Sequence, residues 1–143
     1  MRRIATELRP KILDDLGLIP ALEWLTEEFQ KRTGIACIFS ANVAELTLGQ
    51  DGSTACFRIV QESLTNVARH AGAASVKVRL RVLGGRLRLV IADDGRGITP
   101  GEIANVRSLG LLGMKERAYL LGGSVSVSPG RKGGTCVSVE LPV

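Results

Sequence analysis

The sequence predicts an α+β fold, a two-layer α/β sandwich with helices on one face of a single sheet, and three observations predict it. Residues 58–72 repeat their apolar side chains at about 100° per residue, the period of a helix. From Ser75 the period changes to two: Val76, Val78, Leu80 and Val82 alternate with Lys77, Arg79 and Arg81, and beyond Gly84-Gly85 Leu87, Leu89 and Ile91 alternate with Arg86 and Arg88. Two further alternating runs, around Val125 and Val127 and from Val137 to Leu141, close the chain. Strands that alternate have one wet face, so antiparallel pairing with helices on the other face satisfies them all.

The elements follow in order. Residues 1–16 read as a helical tail, with Ile4, Leu8, Ile12 and Leu16 at helical spacing and Pro10 as a kink or boundary. So short a stripe lacks a core of its own and is expected to be the end of an element that packs on a partner helix. Gly17 and Pro20 punctuate; Leu22, Leu25 and Phe29, with Trp24 beside them, line the next helix until Thr33-Gly34 stops it. Ile35–Phe39 reads as a short strand and residues 42–52 as a polar loop, with Asp51 or Ser53 capping the central helix and Gly72 closing it. Residues 98–109 are turn-rich, Leu111–Leu121 is helical up to Gly122-Gly123, and the last strands are joined through Pro129-Gly130 and Gly133-Gly134. With 143 residues there is room for one domain with a core, expected over 17–143, plus the appendage 1–16.

A formal net charge of +5 and a pI near 9.6 favour anionic partners, and nucleotide phosphates would satisfy that as well as nucleic acid. The basic outer face of the hairpin reads as a solvated sheet face, because no aromatic residue is interleaved for base stacking; nucleic acid is not expected. Cys37, Cys56 and Cys136 form no C-x-x-C pair and are read as small hydrophobes in a reducing cytosol. No signal-peptide core and no apolar run of membrane-spanning length is present, so a soluble, cytoplasmic domain is expected.

On the central helix Ile59, Val60, Leu64, Val67, Ala68 and Ala71 share one face, and Glu62, Asn66 and His70, at steps of four, form a polar ridge at its border. A carboxylate and an amide one turn apart suit a hydrated divalent cation; an ordinary solvated flank has the same pattern. Asp93, ending a strand before Gly95 and Gly97, offers a carboxylate acceptor beside bare backbone, which suits a flat ring with a donor such as adenine's amine; a simple tight loop would look alike. Gly110 and Gly113 flank a helix start at Leu111 whose free N–H groups suit phosphate.

In this order, Glu62 and Asn66, the turn Asp93-Asp94-Gly95-Arg96-Gly97 and the loop Gly110-Leu111-Leu112-Gly113-Met114 resemble the N, G1 and G2 boxes of the GHKL ATP-binding fold. Leu8-Arg9-Pro10 through Leu18, with Trp24 and Arg32-Thr33-Gly34, is similar to the junction between dimerisation helix and catalytic domain in NarL-type sensor histidine kinases. The resemblance implies a mixed, mostly antiparallel sheet and binding of ATP with Mg2+. It implies Asn66 on the metal, Glu62 orienting the metal's water or assisting proton transfer, and Asp93 on adenine. Gly95 and Gly97 would shape the pocket, and Gly110, Leu112, Gly113, Met114 and the hydroxyl of Thr135 would meet the phosphates. His70 is expected as a phosphate-side or structural contact, since the family's phosphoacceptor histidine sits on a dimerisation helix expected to lie outside this chain. A homodimeric full-length protein, a response regulator downstream and a possible membrane anchor elsewhere are implied with it. Two departures stand out: Asp94 where the family often has asparagine, and Ser108-Leu109 where relatives commonly have a further glycine. A GHKL ATPase without a histidine acceptor and a non-catalytic module for a protein or nucleic-acid partner are the competing readings.

Overall fold

The computed structural model describes residues 10–46, 48–96, 111–130 and 133–143. In order these form α1 (Lys11–Leu16), α2 (Leu18–Thr33), β1 (Ala36–Ala41), α3 (Gln50–Asn66) continued by a π turn (Val67–Ala71), β2 (Ser75–Leu83), β3 (Arg86–Asp93), α4 (Leu111–Leu120), β4 (Ser124–Pro129) and β5 (Thr135–Pro142). The sheet runs β1-β2-β3-β5-β4; β1 and β2 are parallel, the remaining pairs antiparallel. A parallel pair needs a long crossover, and α3 supplies it between β1 and β2. The two-layer α+β architecture is therefore as expected.

The alternation of β2 and β3 turns Val76, Val78, Leu80, Leu87, Leu89 and Ile91 inward, all of them buried. They meet Leu22, Phe29, Ile59, Val60, Leu64 and Met114 from the helical layer in one apolar cluster. Each such side chain stabilises the fold by about 1.5–3 kcal/mol through burial.

Local details differ from the sequence reading, each for a physical reason. In α1 it is Leu13, 2% exposed, that enters the core, while Leu16 is 59% exposed. The helix ends at Gly17, whose φ of +87° turns the chain into α2, so the punctuation expected there is observed. Ile4 and Leu8 lie outside the described residues. Trp24 is exposed beside the buried row Leu22, Leu25 and Phe29. The residue preceding α3 is Gly49, so neither Asp51 nor Ser53 is its N-cap. Ser53 is buried within the helix and its hydroxyl donates to the Leu48 carbonyl, and Asp51 sits in the first turn, where its charge suits the helix dipole. β1 extends to Ala41 because it pairs residue for residue with Ser75–Leu80 of β2. Ala68, at the margin of the apolar face and one residue into the π turn, is exposed. Among the described residues no helix is long and apolar enough to cross a membrane.

Candidate nucleotide site

The wall of the site is built where β3 ends. Asp93 is paired with Val76 of β2, and its predecessor Ala92 with Cys136 of β5, which sets Thr135, the first residue of β5, alongside Asp93. Asp93 Oδ1 accepts the Gly95 N–H at 2.8 Å, so one carboxylate oxygen fixes the turn and the other is left to meet a ligand. Gly134 lies directly on this turn. A Cβ there would overlap the Asp93 carbonyl oxygen and sit 2.9 Å from Oδ1, and one on Gly133 would be 3.6 Å from the Gly95 carbonyl oxygen. Thus two backbones meet with no side chain between them.

Asp94 ties the turn to the chain leaving α3. Its Oδ1 accepts the N–H groups of Ala74 (2.9 Å) and Ser75 (3.0 Å), its Oδ2 accepts the Ser75 hydroxyl (2.9 Å), and its own N–H donates to the Ser75 carbonyl. Hydrogen bonds from Ser75, backbone first and then hydroxyl, with Ala74 after them, hold its carboxyl below the usual aspartate value. Ser75 follows closely on the π turn and Gly72, whose φ is +59°. The entry to β2 and the end of β3 are thereby fastened together at one edge of the sheet.

On α3 itself, Ser63 is buried and its hydroxyl donates to Met114 Sδ at 3.9 Å, so α4 packs on that flank. Asn66, three residues on and half-buried, shares the flank. Glu62, also half-buried, lines a cavity of about 300 Å3 between α2 and α3 with Leu25, Phe29, Arg32, Gln61, Leu64 and Thr65. The Arg32 guanidinium stands 5.9 Å from the Phe29 ring centre in that cavity wall.

The expected site residues are therefore distributed unevenly. Asp93, Gly95 and Thr135 are brought together, and Glu62 and Asn66 lie on successive turns of α3. His70 falls in the π turn rather than in a continued α-helix. Leu112 is exposed at the start of α4 and Gly113 half-buried next to it, while Met114 is fully buried against Ser63 rather than open to solvent. Gly97 and Gly110 lie outside the described residues. Sequence reasoning missed the anchoring by Asp94 and the close approach of Gly134. An aspartate followed by glycine is a signal for side chain to backbone capture in a turn, but nothing local names Ser75 as the partner.

Among the described residues no group of three or more His, Cys, Asp or Glu is placed to hold a metal ion. Glu62 and Asn66 offer two oxygen-bearing side chains, which fits Mg2+, a cation that keeps several waters and leans on substrate phosphates, better than it fits a metal needing a full protein cage. The cysteines are no alternative. Burial pushes the thiols of Cys37 and Cys56 up to about 11 and about 12, and raises that of Cys136 as well.

Residues 51–143, which hold α3 but for its first residue, the strands β2 to β5 and every expected site residue, match the family model of histidine kinase-, DNA gyrase B-, and HSP90-like ATPases. The chain belongs to this family and is an ATP-binding domain. Within it, the sequence is 38% identical over 144 residues to sensor histidine kinase MctS of Rhizobium johnstonii, covering 99% of this chain and 31% of the relative. It is likewise 38% identical over 143 residues to the signal transduction histidine-protein kinase/phosphatase UhpB of Salmonella typhimurium, covering 99% of this chain and 28% of the relative. The chain thus spans roughly a third of the length of these curated relatives. The ATP binding domain of PrrB from Mycobacterium tuberculosis shares the fold, with a TM-score of 0.74 at 21% identity over 86% of this chain and 91% of that one. The resemblance drawn from the ordered glycine and N-box residues is borne out.

Proposed function

We propose that this chain is the catalytic domain of a two-component sensor histidine kinase, which binds ATP with Mg2+ and delivers the γ-phosphoryl group to a histidine on a dimerisation domain. The observation that carries the reading is the locked turn at Asp93: one carboxylate oxygen held by Gly95, bare backbone from Gly134 against it, and Asp94 fastening it to the start of β2. Such a preset acceptor suits the adenine amine, whereas guanine presents a carbonyl oxygen there. Asn66 would hold the cation through its amide oxygen, with Glu62 reaching it through water. The cation, when bound, neutralises phosphate charge. Glu62 would orient that water or take the proton from the attacking imidazole, whose nitrogen bonds to the γ-phosphorus as the bond to the β-bridging oxygen breaks and ADP leaves. Gly95 and Gly97 would line the base pocket, and Gly110, Leu112, Gly113 and Thr135 the phosphate loop, with Met114 packing behind it and His70 on the wall.

In this reading residues 1–16 end the dimerisation region and 17–143 form the catalytic domain. The full-length protein would act as a homodimer that hands its phosphoryl group to a response regulator. Calorimetric titration of ATP with magnesium and with EDTA tests the nucleotide half: equal affinity in both would remove the cation from the site. Incubation with labelled ATP tests the transfer half. This chain alone is expected to acquire no acid-labile, base-stable label, and a longer chain carrying the dimerisation helix is expected to acquire it. Robust label here that vanishes in His70→Gln would overturn the reading of His70.

A further inference from the structure

We propose that the open face of the sheet, turned away from the helices, is a docking surface for an anionic lipid bilayer. The strand register decides which side chains share that face. Lys77 stands between Ile38 of β1 and Ala92 of β3, Arg79 between Ser40 and Val90, and Arg81 opposite Arg88. Arg86 and Arg88 continue the row, and both meet Glu140 of β5, at 3.6 and 3.5 Å. Glu140 is set against these five cations, and Asp94, whose carboxylate accepts from Ser75, lies at the nucleotide end of the same row. The neighbouring positions of β4 and β5 carry the short side chains Ser124, Ser126, Ser128 and Ser138. The exposed acids Asp14, Asp15, Glu23 and Glu27 lie on α1 and α2, in the opposite layer. Positive charge is therefore gathered on one flat face.

The chemistry of that face favours lipid over other polyanions. A protein interface wants apolar or aromatic anchors at its centre, and here the centre is Val90, Ala92 and Ser138, small and half-buried. Single-stranded nucleic acid wants an aromatic platform, and among the described residues this face has none. A bilayer presents diffuse negative charge that cations alone can read, and takes apolar side chains at the rim of the contact. Leu83, 83% exposed at the tip of the β2–β3 hairpin, and Ile38, 60% exposed on β1, occupy the rim. β3 has eight residues, so the nucleotide end lies about 25 Å from that tip, and a docked sheet leaves it open.

Sedimentation of the chain with vesicles tests this, using phosphatidylcholine alone or with about 30% phosphatidylserine. Binding to the anionic vesicles is expected to exceed binding to the neutral ones at least about tenfold and to fade as salt rises from about 50 to 300 mM. Lys77→Glu with Arg79→Glu should reduce it at least about tenfold, and Leu83→Ala should reduce it less. Lys11→Glu with Lys31→Glu, the same change in net charge on the helical layer, should leave it intact; thermal unfolding would confirm that each variant is folded. Equal binding to neutral vesicles, no binding to anionic ones, or equal loss in both double variants would overturn the proposal. So would duplex DNA or an acidic polypeptide that displaces the chain from vesicles, since the face would then serve that partner.

Discussion

Two Gly-Gly pairs turn the chain at opposite ends of the same sheet, and they are glycines for different reasons. Gly84 and Gly85, at the hairpin tip, have φ of +59° and +76°, with no atom within 4 Å of where a Cβ would stand. Gly133 and Gly134, leading into β5, have φ of +96° and +78°, and Gly134 also rests on the Asp93 backbone. The outer pair is needed for conformation alone; in the inner pair Gly133 is likewise needed for conformation, while Gly134 is needed for conformation and for space. In sequence the two dipeptides are the same. What separates them is that one end of the sheet is only a turn, while at the other two backbones are pressed together to hold a carboxylate in place.

Breaking that difference should give the largest effect. Gly134→Ala is expected to destabilise the protein by about 3 kcal/mol or more and to abolish ATP binding, since the methyl must displace either β5 or the Asp93 turn. Gly85→Ala carries only the left-handed backbone penalty, about 1–2 kcal/mol, and should bind ATP normally. Urea denaturation with calorimetry on both variants makes the measurement; equal costs would show that close approach is not what distinguishes the inner pair.

Asp93→Ala comes next. It should lose about 1.5–3 kcal/mol of ATP binding, the worth of a hydrogen bond to a charged group, with little change for GTP. Competition between the two nucleotides reads this directly, and a variant that still prefers ATP to the native extent would remove adenine from Asp93. A smaller effect is expected of Asn66→Ala, which should flatten the magnesium dependence of ATP affinity while the magnesium-free affinity stays put, as calorimetry in EDTA would show.

What was legible in the sequence is what depends on local period. The hairpin Ser75–Asp93, the buried rows of α2 and α3 and the closing strands follow from alternation or helical spacing, and the ordered boxes carry the family. What was not legible depends on partners distant in the chain. The parallel pairing of β1 cannot be read from Ala36–Ala41, because a strand's period does not name its neighbour. Leu13 and Leu16 are chemically alike, and only the turn at Gly17 decides which one is buried. The family resemblance points to Thr135, whereas the role of Gly134 before it is visible only once Asp93 is beside it.

The smallest effect is predicted for Asp94, and its sign sharpens the comparison of a tip that merely turns with a wall that is fastened. Its carboxyl lies below the usual aspartate value of about 3.9 because Ser75 and Ala74 donate to the charged form. A depressed carboxyl contributes stability that is fully present above the unfolded value and is lost as pH falls through the lower folded value. Asp94→Asn should therefore be slightly less stable than the native chain from pH 8 down to about 5, and the gap should close as pH falls below about 4. Because the carboxylate is exposed, water screens much of the effect, and a neutral substitution at Gly84 should shift stability by the same amount at every pH. Denaturation midpoints across the acid range decide it: a gap between native and Asp94→Asn that persisted unchanged to low pH would mean that shape, not the charge on Asp94, holds the turn to Ser75.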